Sequence, residues 1–339
     1  MPWSLRSLFA RRKAHHERHD RASLDKIPHL KLGLALSAGG AKGLAHVGVL
    51  QVFEEHGIEI DAISGSSMGS YVGALWACGY SGPDLQELAE EMHDRKQLRK
   101  LADPIIPPLT GLFRGERAKR HLMESIGETR FEDLARRLLI VTFDLDTKER
   151  LVLRRGVVAD AVHASCAMPG IVAPVMLDGH RCCDGGVVDP LPVGSLRKFT
   201  DVDVVIGVNV LPTLQQVDTS AHEDEPPPAP PSPWKRLGRG LNRSINLAAH
   251  GNVIDTLRKS IKAAQLRIAQ ESTKNADLCL HPRFELPGLW HDYSNFAHYI
   301  EAGRAAAAAQ IDTIKTMLNQ RPPRTNEPAQ QPMVGENVA

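Results

Sequence analysis

LGLALSAGGAKGLAHVGVLQVFEEHGIEIDAISGSSMGSYVGALWAC, residues 32–78, alternates short apolar runs with helix-compatible ones, and glycine stands at each change of pattern. Leu32 to Leu36 is short and apolar throughout, as a parallel strand buried on both faces requires. From about Lys42 to Glu55, Val47, Leu50 and Phe53 recur at helical spacing and give one buried face. Ile60 to Ser64 reads as a second strand and Met68 to Cys78 as a second helix. This β-α-β-α order predicts a parallel sheet covered by helices.

The pattern continues outward. Leu138 to Phe143, Arg150 to Arg154, Gly179 to Cys183, Val204 to Val208 and Asp277 to Leu280 read as further strands. Helical stretches follow around Asn246 to Gln270 and Phe296 to Leu318. The expected fold class is therefore α/β, a three-layer α/β/α sandwich with a mostly parallel central sheet, in one domain over 31–320. A proline-rich insertion at about 213–235 includes EDEPPPAPPSP; its prolines lack donors and fix φ, which excludes a helix or central strand. Residues 1–30 are basic and weakly patterned. They read either as a flexible leader, the favoured reading, or as an interfacial helix with Trp3, Leu5, Leu8 and Phe9 on anionic lipid. Residues 321–339 read as a disordered tail.

Composition narrows the function classes. Apolar residues make up 42% and charged residues 24% of 339, as in a soluble globular protein. Forty-one Lys and Arg nearly cancel forty Asp and Glu, so charge gives a nucleic-acid partner no support. Five cysteines without CxxC spacing favour neither a disulfide framework nor a zinc cluster, and no metal or other cofactor is expected. No apolar run approaches a membrane span, and the N-terminus lacks the apolar core of a secretory signal. A cytoplasmic location is expected, with the inner face of a membrane as a possible peripheral surface.

Three motifs carry chemistry. Gly65-Ser66-Ser67-Met68-Gly69 matches G-x-S-x-G between a strand and a helix. Such a tight turn needs the two glycines and leaves the serine Oγ exposed at a helix N-terminus. Ser37-Ala38-Gly39-Gly40-Ala41-Lys42-Gly43 frees backbone N–H groups to converge on an anion, as an oxyanion hole or a phosphate cradle. It lacks P-loop spacing, and Ala38 breaks the dinucleotide pattern. Beside a serine elbow the oxyanion role is favoured. Cys183-Asp184-Gly185-Gly186 puts a carboxylate on a constrained turn, where it could serve Ser67 as general base.

AGGAKG, GSSMG and DGG, in that order and after the expected elements, resemble the patatin-like phospholipases. The stretch Ala164-Ser165-Cys166-Ala167-Met168-Pro169-Gly170, with Pro174 beyond, is similar to the family's segment before DGG. The likeness runs from about Leu32 to Val210, and onward to about Leu318. It implies a patatin-like fold and a lipid acyl hydrolase with Ser67 as nucleophile and Asp184 as base, without histidine. It further implies an oxyanion hole at Gly39, Gly40 and Ala41, Lys42 where the family has Arg or Lys, and a phospholipid or other lipid ester as substrate. Ala38 departs from the glycine usual at the head of the loop, which bears on full activity more than on the fold.

Rival readings remain open. His250, His281, His291 or His298 could complete a Ser-Asp-His triad, though no local pattern distinguishes any of them. His163 reads as a helix-surface residue. Asp144, Asp146, Asp178 and Asp189 lack metal-ligand spacing and read as turn and cap residues. Trp290, Tyr293 and Phe296 could line an acyl pocket, with core packing the default. Cys78, Cys166, Cys182 and Cys183 read as buried small apolar residues. A weakly active or non-catalytic lipid-binding regulator on the same fold is the alternative function.

Overall fold

The computed structural model describes residues 30–93, 95–212, 253–284 and 292–320. The N-terminal segment (but for Leu30), the proline-rich insertion, the C-terminal tail, Trp290, His250 and His291 lie outside the described residues.

Eight strands form one sheet: Leu32–Leu36 (β1), Ala62–Ser66 (β2), Arg137–Asp144 (β3), Arg150–Leu153 (β4), Val175–Leu177 (β5), His180–Asp184 (β6), Val204–Val208 (β7) and Leu278–Leu280 (β8). Their order is β5-β6-β3-β2-β1-β7-β8, with β4 also paired to β3. The inner run β3-β2-β1-β7-β8 is parallel, while β4, β5 and β6 pair antiparallel. The sheet is thus mostly parallel, as its near-continuous apolar strands require.

Alternation along β1 sorts the two faces. Leu32, Leu34 and Leu36 enter the larger core with helices Ala45–Glu55 (α1), Met68–Ala77 (α2), Gly82–Glu91 (α3), Glu116–Ile126 (α5) and Val158–Ser165 (α6), with Arg95–Leu101 (α4) between α3 and α5 in the chain. Ala35 enters a second core with Ala62, Leu139, Val141 and Val205, covered by Val193–Phe199 (α7) and Val253–Thr273 (α8). Two helical layers on one sheet give the three-layer sandwich.

Several boundaries move from the sequence reading. The second strand is Ala62–Ser66, not residues 60–64, because pairing with β1 and β3 carries it through Gly65 and Ser66. Asp61 instead anchors its approach, accepting the Leu32 N–H through Oδ2 at 2.7 Å. The expected helix from Lys42 opens as a 3-10 turn, Gly40–Leu44, before α1 begins. The stretch from Phe296 is two helices, Phe296–Ala308 (α9) and Ile311–Gln320 (α10). Among the described residues no helix is long and apolar enough to cross a membrane.

Helix α9 lies backbone-close along α1. A Cβ at Gly48 would strike the Ile300 carbonyl, and one at Gly303 would strike the Ala45 carbonyl. Arg304 clamps the far end on Glu55 at 2.8 and 2.9 Å. Gly303→Val should therefore destabilise the whole sheet by about 1–3 kcal/mol. A urea titration followed by circular dichroism and by tryptophan fluorescence checks this. Coincident midpoints, both lowered, are expected if residues 31–320 unfold as one unit.

Candidate active site

The edge of β3 builds the site. Its residues Val141 and Thr142 pair with Val152 and Leu151 of β4 on one side. On the other side Val141 pairs with Ser66 of β2, and Thr142 pairs with Asp184 of β6. Strands β2 and β6 thus share one edge end to end, one arriving parallel and the other antiparallel. Ser67, next after Ser66, must meet Asp184: its Oγ donates to Asp184 Oδ2 at 2.7 Å.

Ser67 sits at φ 53 and ψ −122, immediately before α2. A left-handed non-glycine residue of this kind costs on the order of 1–3 kcal/mol and persists only when its surroundings enforce it. Three constraints do so. Gly65 and Gly69 let the turn close: a Cβ on Gly65 would meet the Gly69 backbone, and one on Gly69 would meet the Leu36 carbonyl. Ser165 Oγ donates to the Val141 carbonyl (2.6 Å) and accepts the Ser67 N–H (2.9 Å), tying elbow to β3. Ser70 Oγ donates to the Ser67 carbonyl at 2.6 Å. Ser165 was visible in the sequence only as part of the 164–170 stretch; nothing local marked its pinning role.

Asp184 is buried. Its Oδ1 accepts the Gly186 N–H at 2.7 Å, and its own N–H donates to the Ala167 carbonyl at 2.9 Å. Burial pushes its carboxyl up to about 6, against the opposing pull of the bonds from Ser67 and Gly186. The group is ionised at neutral pH and holds its proton more strongly than a solvated carboxylate does.

The glycine-rich loop is brought beside the elbow by its root. Ser37 Oγ accepts the Val210 N–H (3.0 Å), the Ser37 carbonyl accepts from His46 Nε2 (2.9 Å), and the Ala38 N–H donates to the Pro190 carbonyl (2.8 Å). Gly43 faces Met68, the residue after Ser67, closely enough that a Cβ would clash. Gly39, Gly40 and Ala41 open the 3-10 turn, where first-turn amides have no intrahelical acceptor. Ala38 needs no left-handed backbone: among the described residues the positive-φ non-glycine ones are Ser67, Lys148 and Asp178. Its methyl packs toward Gly186, 2.9 Å from where a Cβ there would stand. The departure at Ala38 thus sets a methyl against the DGG turn with no positive φ at Ala38.

Lys42 is half-buried, with Nζ 5.1 Å from the Phe284 ring centroid; burial, then Lys262, lowers its ammonium. The direct Ser67–Asp184 bond leaves no room for an imidazole between them. His281 is exposed beyond β8, and His298 lies on α9 beside the Tyr299 ring. His46, which sequence reasoning did not single out, is fully buried and driven down to about 4 by burial, so it is neutral while it holds Ser37.

His163 corrects the expectation of a surface residue. Gly115 packs against its ring, and its Nε2 donates to the Arg114 carbonyl at 3.1 Å, so it is buried. Asp144 accepts the Asp146 N–H and the Thr147 hydroxyl as a turn residue. Asp146 pairs with Arg181, Asp178 turns the β5–β6 hairpin, and Asp189 pairs with Arg150 at 2.9 Å. Tyr293 and Phe296 pack against the larger core. Cys78, Cys182 and Cys183 are buried; Cys166 is half-buried.

A family model described as patatin-like phospholipase matches residues 34–197. An uncharacterized NTE family protein of Mycobacterium tuberculosis is 32% identical over 225 residues, 66% of this chain and 60% of its own length. A second from that organism is 30% identical over 287 residues, 84% of this chain but 47% of its own length. Lysophospholipase NTE1 of Yarrowia lipolytica is 31% identical over 180 residues, 53% of this chain and 12% of that protein. The chain therefore spans 60%, 47% and 12% of these curated relatives, less than two thirds of each. Among solved structures, VipD from Legionella pneumophila aligns at TM-score 0.45 and 13% identity, covering 85% of this chain and 68% of that one.

Asp184→Asn keeps the shape of the pair and removes the buried charge. The folded carboxyl near 6 lies above its unfolded value of about 3.9, so ionising it costs stability as pH rises from about 4 to 6. The variant's stability relative to the wild type should therefore rise across that window and hold the gain to pH 8, by an amount on the order of 1–3 kcal/mol, with a matching shift in the difference of melting temperatures. Calorimetry of both proteins at pH 4.5, 6 and 8 checks it.

Proposed function

The chain carries a patatin-like phospholipase domain over residues 34–197, and from that premise we propose that it is a serine hydrolase of lipid acyl esters, of phospholipase A or lysophospholipase type. The observation that carries the reading is the 2.7 Å bond from Ser67 Oγ to the buried carboxylate of Asp184. The relative named Lysophospholipase NTE1 supports lysolipid esters among the substrates.

The chemistry follows from the geometry. Ser67 Oγ attacks the ester carbonyl as its proton passes to Asp184 Oδ2. A carboxylate near its ordinary pKa is a poor base for a hydroxyl; burial raises its proton affinity, and the short bond needs no reorientation. The amides of Gly39, Gly40 and Ala41 receive the oxyanion, each donor worth about 3 kcal/mol of barrier. The helix dipole of α2 adds positive potential at the same place. Asp184 then returns the proton to the departing alcohol or lysolipid. Water repeats the two proton transfers on the acyl-enzyme and frees the fatty acid and Ser67.

Hydrolysis of a chromogenic short-chain ester tests the reading. The wild type should turn over and react stoichiometrically with a fluorophosphonate at Ser67. Ser67→Ala and Asp184→Asn should each lose about three orders of magnitude or more in kcat. The wild-type kcat/KM should rise with pH and level off above about 6, as Asp184 loses its proton. Equal background rates in wild type and Ser67→Ala would leave a lipid-binding regulator in place of the enzyme. Loss of activity in His281→Ala or His298→Ala with the fold intact would restore the triad.

A further inference from the structure

Among the described residues, four large apolar side chains stand in the open: Ile106, Leu109, Met176 and Leu257, at 87, 84, 65 and 43% exposure. The two most exposed share one loop, Pro104 to Leu112 (PIIPPLTGL), and the prolines between them, Pro107 and Pro108, are exposed as well. Isolated apolar surface residues are ordinary, but four adjoining ones at the tip of a built loop are not.

The loop is held from below. Asp103, buried at its neck, accepts the N–H groups of Gly115 (2.8 Å) and Arg117 (3.1 Å), and its carbonyl accepts that of Arg114 (3.0 Å). The Ile105 N–H donates to the Leu112 carbonyl at 3.0 Å. The N–H groups of Leu112 and Phe113 both reach the Ile171 carbonyl, and the Ala173 N–H returns to Phe113. That second strand of contacts continues directly from Ala167, whose carbonyl holds the Asp184 N–H. The tip is therefore mounted on the segment that frames the Ser67–Asp184 pair.

Charge gathers around the same neck. Residues 95–120 contain eight Lys or Arg against Asp103 and Glu116, in a chain whose net charge is +1. Asp103 is taken up by the neck, and Glu116 is paired with Lys119 at 3.0 Å. Glu90, Glu91 and Glu124 share a cavity with Lys100, Arg117 and Arg120, three charges of each sign, and Asp160 pairs with Lys119 at 3.4 Å, so the neck's positive excess falls to two. Arg114 lies beside Met176, the third exposed apolar side chain, on one cavity wall.

We propose that the 104–110 tip inserts into the interface of an anionic bilayer, with the basic neck on its headgroups. An apolar point above a neck with a small excess of cations fits that surface, where acyl chains and negative headgroups lie within a few ångströms of each other. The choice of a bilayer over a protein partner rests on the lipid-hydrolase reading. The insertion presents the glycine-rich loop and Ser67 to lipid that has not left the membrane.

Flotation of the full chain with phosphatidylcholine vesicles, with and without phosphatidylglycerol, tests it. The wild type should bind the anionic vesicles more tightly and lose affinity as salt rises. Ile106→Asn/Leu109→Asn should weaken binding about tenfold or more. Arg114→Gln/Arg120→Gln should weaken it on the anionic vesicles alone. Both double variants should hydrolyse a soluble short-chain ester at the wild-type rate while losing hydrolysis of vesicle phospholipid. The extra emission of Leu109→Trp should shift to the blue on vesicles. Undiminished binding by Ile106→Asn/Leu109→Asn, an unshifted Leu109→Trp on vesicle-bound protein, or a variant whose only effect is to dissociate a dimer would each overturn the proposal. A chain that binds vesicles through the tip but hydrolyses no ester would sink the hydrolase reading and leave the docking surface standing.

Discussion

One edge of one strand is where two distant pieces of chain are made to meet. Strand β3 runs eight residues, longer than the strands beside it, so β2 can occupy its first part and β6 its last. The junction between them falls at Val141 and Thr142, and Ser67 and Asp184 are the residues the junction brings face to face. The rest of the site braces this meeting point. Ser165 ties the elbow to Val141, Thr142 Oγ1 ties β6 through the Cys183 carbonyl at 2.6 Å, and the second face of Thr142 is backed by β4.

Burial does two opposed things at that junction. It withdraws water from the Asp184 carboxylate, which makes the charge costly and the group a stronger base. It also obliges the fold to supply hydrogen bonds in place of water, which Ser67 and Gly186 do. The elbow carries a comparable tension in its backbone, with Ser67 held at a positive φ by contacts on three sides. Both costs are borne by the packed sheet around them, as is usual where geometry and electrostatics are set for chemistry rather than for stability.

What could be read in the sequence was what depends on local pattern. LGLAL and VVIGV are legible because strands buried on both faces have no polar side to conceal them. GSSMG and AGGAKG are legible because tight turns and close approaches admit few residue types. The resemblance to the patatin-like phospholipases joined these motifs to DGG, which alone would pass for an ordinary turn. Illegible features share a different origin. Gly65 and Ser66 have little intrinsic preference for strand, yet they are strand because β1 and β3 pair with them. Ser165 acts through partners 24 and 98 positions away. His163 is buried because Gly115 lies on it, which no helical wheel of residues 158–165 can foresee. The alanine-rich run after Tyr299 favours continued helix, yet the chain breaks between Ala308 and Ile311, and no local residue type announces it.

Ser67 and Asp184 lie 117 positions apart, and the sheet reaches further still where β1 lies beside β7, with Leu32 paired to Val204. Pairings of such separation form late, because the chain must surrender much loop entropy before they return anything. A growing polypeptide can shape the β1-α1-β2-α2 unit, with its serine already at the turn, long before β6 arrives along β3. Until then the Ser67 hydroxyl lacks the carboxylate it donates to in the finished fold. Completion of the sheet is thus the event that closes the Ser67–Asp184 bond, and on the proposed function reactivity toward esters becomes a readout of native topology.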